Sequence, residues 1–522
     1  MLASYYIIAG LLASVIFYKL CHSLFISPLA KIPGPKAFAL TSWRLAYEDY
    51  NGTRTRTIHA LHQKYGPVVR IGPNEVSCNS ISALKSVYGA GSGFERTSFY
   101  HMFEVYGRKN MFSFPTVKAH GERKKMFAHA YAKSAVMNKE NASLIERKVR
   151  LYMELLGREE EKEEGSTSEI FSSLHYFSLD TITEFLYGRF GKTACLEGRA
   201  EDRALIQDIS DHARRKLAWF AVHLPAFTQW LYSRTGIMRE IARHFYPMQT
   251  PTTYSGIRAH ALKACKTFGS CAAKGTTSEE TSLISKLWRH HMTQKNGGID
   301  DLDIASECAD HLLAGIDTTS DTLMFLIWSL SRREHRDFQK RLIQEVRDMS
   351  TESINSDGVP MVDKTDNLPY VDAVIKETLR LFAPLPGSEP RSLSQSSTID
   401  GYAIPARTVV SISPYTLHRN PDVFPDPFKF NPERWLNSSQ NLAQMKKCFW
   451  AFSSGGRMCI GIHLAMAEMT TLVAAIYRKY TTTAVAGFDT LSPGITSRYE
   501  VFYDEGCSGV REHECRIEFK RQ

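Results

Sequence analysis

The most prominent hydrophobic segment is the N-terminal one. Residues 2–18 carry no charged side chain, and after Lys19 the chain is again largely apolar as far as Ile26. A helix needs about 20 apolar residues to cross a bilayer, so this run is just long enough. A cleaved secretory signal is the alternative, but no basic side chain precedes the run and no convincing small-residue cleavage site follows it. We therefore expect an uncleaved membrane anchor over residues 1–26.

Charge and turn residues mark the end of this anchor. Basic residues lie on its C-terminal side: Lys19, Lys31, Lys36 and Arg44. The positive-inside rule then places the bulk of the chain in the cytosol. The sequence Pro33-Gly34-Pro35 cannot continue a helix and predicts a stiff bend. We expect a hinge and linker over residues 27–50 and a folded body over residues 51–522.

Within the folded body, the spacing of apolar positions changes between the helix and strand periods. The patterns predict helices over residues 54–65, 304–330, 334–348 and 372–382. Residues 68–71 and 75–78 predict a strand pair, and residues 499–519 alternate weakly and predict a terminal β hairpin. Together these patterns indicate a mainly α fold with a smaller β-rich lobe, preceded by one N-terminal transmembrane helix.

Composition narrows the class of protein. The 522 residues are 43% apolar, and 64 Lys+Arg against 55 Asp+Glu give a net charge of +9. This excess is spread along the chain without a dense basic run, which argues against a nucleic-acid partner and favours a surface that faces anionic lipid or an acidic protein. The ten cysteines form no Cys-x-x-Cys pair, so their usage indicates a reducing compartment.

A glycine-rich loop near the C-terminus carries the candidate chemistry. Adjacent glycines at 455 and 456 disfavour regular structure, and the apolar spacing that follows predicts a helix that begins at Cys459. Unpaired N–H groups and the helix dipole at such a start lower the pKa of a thiol and favour the thiolate. One anionic sulfur with room for a planar partner indicates haem held by a single thiolate. For Cys459 alone, a buried free cysteine in a glycine-rich turn is the simpler explanation.

The complete loop resembles the Phe-x-x-Gly-x-Arg-x-Cys-x-Gly signature of the cytochrome P-450 family. It matches every fixed position: Phe452, Gly455, Arg457, Cys459 and Gly461. The resemblance implies haem b, iron protoporphyrin IX, as the cofactor and Cys459 as the ligand of its iron. It also implies that the other four residues belong to the cofactor site.

Polar residues interrupt the long apolar helix after Gly315. Asp317 and Thr318 lower helix propensity, and a polar face or a local bend would explain them. We favour a role in which a gap at Gly315 admits a ligand, Thr318 holds a proton or a water, and Asp317 connects to solvent protons. The segment resembles the family's Ala/Gly-Gly-x-Asp/Glu-Thr-Thr/Ser motif at every position, which implies that Asp317 and Thr318 are catalytic in oxygen activation.

A Glu and an Arg lie three residues apart on a predicted helix, at positions 377 and 380, and could form an ion pair of modest effect. Arg434 follows in the segment Pro-Glu-Arg-Trp. In this order the residues resemble a structural network that the family places behind the haem, which implies that Glu377, Arg380 and Arg434 form it. Trp435 stands where Phe is usual, and we expect this change to affect packing rather than chemistry.

The resemblance also implies residues that bind the haem propionates. The family has an aromatic residue or His followed four residues later by a basic residue, which correspond here to His120 and Lys124. Because Lys124 departs from the commoner Arg, Arg123 and Lys125 are alternatives. Arg391 occupies the position of another propionate-binding arginine. From residue type alone, these would be a solvated helix face and a surface side chain.

Two aromatic segments complete the pattern. Residues 94–117 are dense in Phe, Tyr and Met and resemble the family's loop over the substrate. Residues 218–232 carry several aromatic side chains around Pro225, for which core packing is the default explanation. Their position resembles the family's roof helices, which contact the bilayer, so membrane contact is the alternative.

The order of anchor, small β lobe, helical body and cysteine loop resembles the family over nearly the whole chain, and most closely microsomal members from filamentous fungi. The resemblance implies a haem-thiolate monooxygenase of the endoplasmic reticulum membrane with a cytosolic catalytic domain. It implies an apolar small-molecule substrate, a secondary metabolite by the fungal likeness, and electrons from NADPH through cytochrome P-450 reductase, with cytochrome b5 as a second candidate donor. Alternatives are a haem-thiolate isomerase or reductase without oxygen insertion, and a membrane-tethered haem-binding protein without turnover.

Overall fold

The computed structural model describes residues 2–160, 167–211, 213–245, 255–277, 281–293, 298–436 and 441–522. Helices dominate these residues. The helices of the N-terminal part are α1 (Leu2–Cys21), α2 (Lys36–Leu40), α3 (Trp43–Asn51), α4 (Arg54–Tyr65), α5 (Ile81–Tyr88), α6 (Val117–Ala128), α7 (Lys133–Val136) and α8 (Lys139–Glu160). Those of the middle part are α9 (Ile170–Tyr187), α10 (Ala200–Arg203), α11 (Gln207–Ser210), α12 (Ala213–His223), α13 (Pro225–Tyr232), α14 (Gly236–Phe245), α15 (Ser255–Ala272) and α16 (Leu283–Thr293). Those of the C-terminal part are α17 (Asp301–Ser331), α18 (Arg336–Arg347), α19 (Val362–Thr365), α20 (Pro369–Leu381), α21 (Pro414–Leu417), α22 (Leu442–Cys448) and α23 (Ile462–Lys479).

The strands are short and lie mostly in mixed or antiparallel sheets. They are β1 (Val68–Gly72), β2 (Glu75–Cys78), β3 (Glu95–Arg96), β4 (Thr167–Glu169), β5 (Arg391–Ser392), β6 (Ser397–Ile399), β7 (Tyr402–Ile404), β8 (Val409–Ser411), β9 (Tyr480–Ala484), β10 (Leu491–Ser497), β11 (Glu500–Phe502), β12 (Gly509–Glu512) and β13 (Arg516–Arg521). The largest sheet has the order β1-β2-β8-β5-β3. The predicted pair of β1 and β2 is present and antiparallel. Strand β2 also pairs in parallel with β8, so distant parts of the chain build the β-rich lobe. The predicted fold class is confirmed.

The C-terminal strands do not form the predicted hairpin. Instead β10 pairs antiparallel with β11 and in parallel with β12, while β13 lies between β4 and β9. The prediction of one hairpin over residues 499–519 is therefore wrong. Weak alternation identifies strand-forming residues but does not specify their partners, because the register depends on contacts with distant segments.

The N-terminal segment has two parts with different burial. Residues Ser4–Ile26 are helical, apolar enough to cross a membrane, and unburied throughout. Residues 27–50, which the sequence suggests as hinge and linker, contain α2 and most of α3. Leu29 joins a core cluster with residues of the β-rich lobe, and Phe38 packs in a second cluster with Val69 of β1.

Two buried helices, α9 and α17, lie side by side at the centre of the fold. A reciprocal capping box between Asp300 and Asp303 starts α17, with the Asp303 amide donating to Asp300 Oδ1 at 2.7 Å. Gly315 allows the close approach of the two helices, because a Cβ there would lie 2.5 Å from Ile182 Cγ1. The space expected at Gly315 for a ligand is thus filled by Ile182.

A buried charge network joins α20 to the segment before the cysteine loop. Glu377 and Arg380 are fully buried and form a bidentate pair with distances of 2.8 and 2.9 Å. Arg434 Nε donates to Glu377 Oε1 at 3.1 Å. The indole of Trp435 also donates to Glu377 Oε2 at 2.9 Å, so the expectation that this Trp changes packing alone is wrong. Phe could not make this bond.

We expect Glu377→Gln to destabilise the protein strongly. Removing the carboxylate leaves the buried Arg380 and Arg434 without their counter-charge, which costs about 3–5 kcal/mol. Urea unfolding followed by circular dichroism measures the loss. Asp372→Asn is the matched control on the same helix, because its pair with Lys376 is partly exposed and should contribute less than about 1 kcal/mol. Equal losses in the two variants would contradict the prediction.

We also expect Gly315→Ala to destabilise the contact between α9 and α17 by about 1–3 kcal/mol through overpacking. Ile182→Ala removes the atoms at 2.5 and 2.8 Å from the new Cβ. The double variant should therefore lose less free energy of unfolding than the sum of the losses in the two single variants. The same unfolding experiment completes this cycle, and strictly additive losses would show that Gly315 does not limit the approach of the helices.

Candidate active site

The cysteine loop is held in shape by its own backbone and by a contact with α5. The amide of Cys459 donates to the carbonyl of Phe452 at 2.8 Å. Gly455 has φ +63°, and a Cβ there would collide with the carbonyl oxygen of Tyr88 at the end of α5. Both constraints select glycine at this position.

The thiol of Cys459 lies before the helix rather than on it. Helix α23 begins at Ile462, so the prediction that it begins at the cysteine is three residues too early. The backbone amides of Gly461 and Ile462 donate to the sulfur. Burial raises the pKa of the thiol above its ordinary value, although these amides and the Lys124 ammonium act to lower it. The lowered pKa expected from a helix start is therefore not found. All ten cysteines are described, and Cys459 is the exposed one among them.

Helix α17 presents one open face within the protein interior. Leu312 and Ile316 are buried, whereas the residues between and beyond them on one side are accessible: Asp310, Leu313, Ala314, Asp317 and Thr318. Spacings of three, four, seven and eight residues place these positions on a single face. The Thr318 hydroxyl donates to the Ala314 carbonyl at 2.7 Å. The structure thus brings Asp317 and Thr318 together on the accessible side of the helix.

Positive charge is concentrated around His120. Strand pairing places Arg96 of β3 directly opposite Arg391 of β5, an arrangement of like charges that is unfavourable by itself. Burial and the neighbouring charges of Arg96 and Arg391 lower the pKa of Arg457 to about 9. Burial and several cations, Arg457 first among them, lower the pKa of His120 to about 3.

These arginines keep buried donors unused. Among the described residues, Arg96 Nε, Arg391 Nη1 and Arg457 Nε have no hydrogen-bond partner. Arg457 uses its other two nitrogens on the carbonyls of Phe114 and Pro115, at 2.8 and 2.7 Å. Buried donors are normally paired, so this cluster is built to receive acceptors, and its charge favours anions.

The three consecutive basic residues of α6 have separate surroundings. Lys124 Nζ donates to the carbonyls of Gly456 and Met458 at 3.0 and 2.9 Å, within the cysteine loop. Arg123 pairs with Glu307 of α17 at 2.7 Å. Lys125 is exposed. Lys124 thus joins α6 to the cysteine loop, and Arg123 is occupied by its contact with the buried Glu307.

Sequence reasoning missed three residues near this site. Arg96 reaches Arg391 through strand pairing, which no local spacing reveals. Glu307 is buried, and burial raises its pKa to about 8 despite Arg123. Glu468 is also buried, with a pKa raised by burial to about 8 and a hydrogen bond to Thr319 of α17. Glu468 could have been noticed from the sequence, because it is an acidic residue within the otherwise apolar stretch of α23.

Comparisons with known proteins agree with this geometry. The family model described as cytochrome P-450 matches residues 33–493. The chain is 31% identical to the cytochrome P-450 monooxygenase stcB of Emericella nidulans over 457 residues, which is 87% of this chain and 82% of the relative. It is 28% identical to the cytochrome P-450 monooxygenase aflV of Aspergillus parasiticus over 503 residues, 96% of this chain and 93% of the relative.

The matched region contains the cysteine loop, α17 and the buried charge network. It also covers most of the folded body, so the likeness does not depend on a single motif. The resemblance drawn from the sequence is confirmed, and the chain belongs to the cytochrome P-450 family of haem-dependent monooxygenases.

Proposed function

We propose that this monooxygenase inserts one oxygen atom from dioxygen into an apolar small molecule, with electrons from NADPH delivered by cytochrome P-450 reductase or, as a second donor, cytochrome b5. The observation that carries the proposal is an accessible thiol beside a cluster of cations with unused donors. Lys124 connects the thiol to the cation cluster, because the charges of Cys459, Arg96 and Arg457 all affect the pKa of its ammonium group.

The residues present fit haem b. The family implies this cofactor, which carries two anionic propionates. These propionates would accept hydrogen bonds from the buried nitrogens of Arg96, Arg391 and Arg457 that have no partner. Cys459 offers one sulfur from a loop in which glycine leaves room for a flat ring. We propose Cys459 as the iron ligand, His120 and the arginines as the propionate site, and Phe452, Gly455 and Gly461 as the surrounding cradle.

Haem held by a thiolate supplies the cleavage of dioxygen and the transfer of one oxygen atom to the substrate. The protein's own contribution begins with the sulfur: the amides of Gly461 and Ile462 and the Lys124 ammonium favour its anionic form, against the effect of burial, which raises the pKa of the thiol. Lys124 also fixes the loop through two carbonyls, so we assign it to loop positioning as well as to the charge around the haem.

Proton delivery is assigned to the open face of α17. Thr318 can hold a proton or a water on that face, because its hydroxyl already donates to Ala314 and keeps its acceptor capacity. Asp317 precedes it on the same accessible side and connects to solvent protons. This pair distinguishes a monooxygenase from a haem-thiolate isomerase, which needs no proton supply.

Two surfaces support the proposed membrane and reductase partners. Exposed apolar residues continue from the anchor to α3, α13 and α14: Trp43, Tyr47, Tyr50, Phe227, Trp230, Ile237, Met238 and Ile241. Tyr50 also contacts Trp219 of α12 at 5.5 Å between ring centroids, which joins these elements. We propose that they rest on the endoplasmic reticulum membrane. Exposed lysines on α6 and α22 suit an acidic reductase: Lys118, Lys125, Lys446 and Lys447.

A fungal secondary metabolite is the proposed substrate class. The relatives described above come from Emericella nidulans and Aspergillus parasiticus, which supports a fungal setting. The aromatic side chains of Phe99, Phe103 and Phe112 contact one another or Tyr100 beside the arginine cluster, which supports an apolar wall over the substrate.

We expect Cys459→Ser to abolish the thiolate signature. The dithionite-reduced wild-type protein under carbon monoxide should show a strongly red-shifted Soret band, and the variant should lose it because an alcohol ligand does not donate as a thiolate does. Cys271→Ser, a partly exposed cysteine on α15, is the matched control and should keep the band. A red-shifted band that persists in Cys459→Ser would remove Cys459 as the ligand.

We expect Thr318→Ala to uncouple electron use from oxygen insertion. In a system reconstituted with the reductase, the peroxide released per NADPH consumed should rise several-fold, because the variant lacks the hydroxyl group that holds a proton or a water for delivery. Thr322→Ala is the control, since its hydroxyl makes the same intrahelical bond, to Thr318 O at 2.7 Å, one turn further along. Equal peroxide release in wild type and Thr318→Ala would refute the proton-delivery role.

A further inference from the structure

A buried tyrosine and a buried histidine form a pair beside the proposed haem site, and the proposed function uses neither of them. Tyr131 lies in the turn after α6, and its hydroxyl is hydrogen-bonded to Nδ1 of His311 on α17 at 2.7 Å. The two residues are only 4% and 6% exposed. Phe127 of α6 packs against the imidazole with 4.7 Å between the ring centroids. The pair therefore links the end of α6 to the central helix within the core.

The hydrogen bond, rather than packing, explains why position 311 is a histidine. In the part of the chain that the structure describes, Nε2 of His311 is buried and has no hydrogen-bond partner. An unpaired buried nitrogen is unfavourable, and a phenylalanine would fill the space beside Phe127 without one. What the histidine adds is a basic nitrogen at the phenol of Tyr131. The chemistry of the pair is thus that of a phenol held against a base.

The surroundings keep both partners of this pair uncharged. Burial raises the pKa of Tyr131 well above its usual value, and the charges of Cys308 and Cys459 raise it further. Burial lowers the pKa of His311 to about 4, so the ring is neutral at pH 7 and can accept at Nδ1. Such a phenol does not ionise by itself. If it loses an electron, however, its proton becomes strongly acidic and moves to the imidazole. The influence of Cys459 places this phenol within electrostatic reach of the proposed iron ligand.

Neighbouring tyrosines lack a base of this kind. The charge of Tyr131 affects the pKa of Tyr187, so the two phenols are close, but the buried hydroxyl of Tyr187 has no partner among the described residues. Tyr88 and Tyr106 donate to backbone carbonyl groups, which do not take up protons. Loss of an electron from these three residues leaves the phenol proton without an acceptor. Oxidation is therefore easier at Tyr131 than at its neighbours.

Building on the proposed haem site, we propose that Tyr131 and His311 protect the enzyme from its own oxidising equivalents when no substrate is in place. Tyr131 gives one electron to the oxidised haem, its O–H bond breaks, and the proton passes to Nδ1 of His311. The products are a phenoxyl radical on Tyr131, an imidazolium on His311 and a haem that carries one electron more. One electron from the reductase and the return of the same proton restore the pair. This activity goes beyond oxygen insertion, because it consumes no substrate.

Electron paramagnetic resonance of the full-length haem protein tests this inference. The protein, without substrate, is mixed with m-chloroperoxybenzoic acid as oxidant, frozen within milliseconds and measured. Ring-deuterated tyrosine identifies a tyrosine radical, because it narrows the spectrum. The proteins compared are wild type, Tyr131→Phe and His311→Asn, with Tyr187→Phe as the matched control in the same part of the core. The Soret band of each reduced protein under carbon monoxide reports whether haem and fold are retained.

Wild type should form a tyrosine radical, more slowly in deuterium oxide than in water, because a proton moves with the electron. Tyr131→Phe should lose most of this signal, and its Soret band should bleach several-fold faster, since the oxidant then attacks the porphyrin. His311→Asn keeps an acceptor for the hydroxyl, but an amide does not take up the proton, so it should show the same losses. Tyr187→Phe should behave like wild type.

Four results would overturn the inference. A radical yield in Tyr131→Phe equal to that of wild type, or a signal lost in Tyr187→Phe instead, would exclude Tyr131 as the electron donor. An undiminished radical in His311→Asn would exclude His311 as the base. Equal rates of formation in the two solvents would do the same in wild type, without any variant. If wild type shows no haem Soret band, the proposed haem site itself fails, which is a different outcome from an inactive tyrosine–histidine pair.

Discussion

The arrangement of the active site depends on one constraint, the burial of α17 on all sides but one. A 31-residue helix through the protein centre must pack closely against its neighbours. Helix α9 approaches it tightly where Ile182 contacts Gly315. This packing fixes the rotation of α17 about its axis. Because the rotation is fixed, Asp310, Ala314, Asp317 and Thr318 share the remaining open face. Residues with different proposed tasks are thus positioned by a single helix contact.

Local sequence patterns predicted the parts of the site that lie close together in the chain. The cysteine loop, the Asp317-Thr318 pair and the Glu377-Arg380 spacing were all recognisable, because each depends on residues within one turn or one loop. The N-terminal apolar helix and the β1–β2 pair were also predictable from runs and alternation. Helix α23 begins at Ile462 instead of Cys459, because Ile460 and Gly461 form a turn between the cysteine and the helix.

Most of the features that sequence reasoning missed depend on contacts between distant segments. Arg96 meets Arg391 only because β3 pairs with β5, and β12 joins β10 in parallel. Likewise, Trp435 gains a chemical role only because the fold brings its indole to Glu377. Such contacts depend on register and packing, which alternation and spacing do not encode. The residue types were visible, but their neighbours were not.

The pairing of Arg96 with Arg391 has a consequence for how the protein matures in the cell. Two opposed guanidinium groups disfavour the pairing of β3 with β5, and an anion bound between them would relieve this repulsion. A cofactor that binds the native state alone adds its binding free energy to the stability of the fold. Under the proposed function, haem supply therefore sets the lifetime of the newly made chain as well as its activity. Cells short of haem should contain less of this protein, because more of it is open to proteolysis.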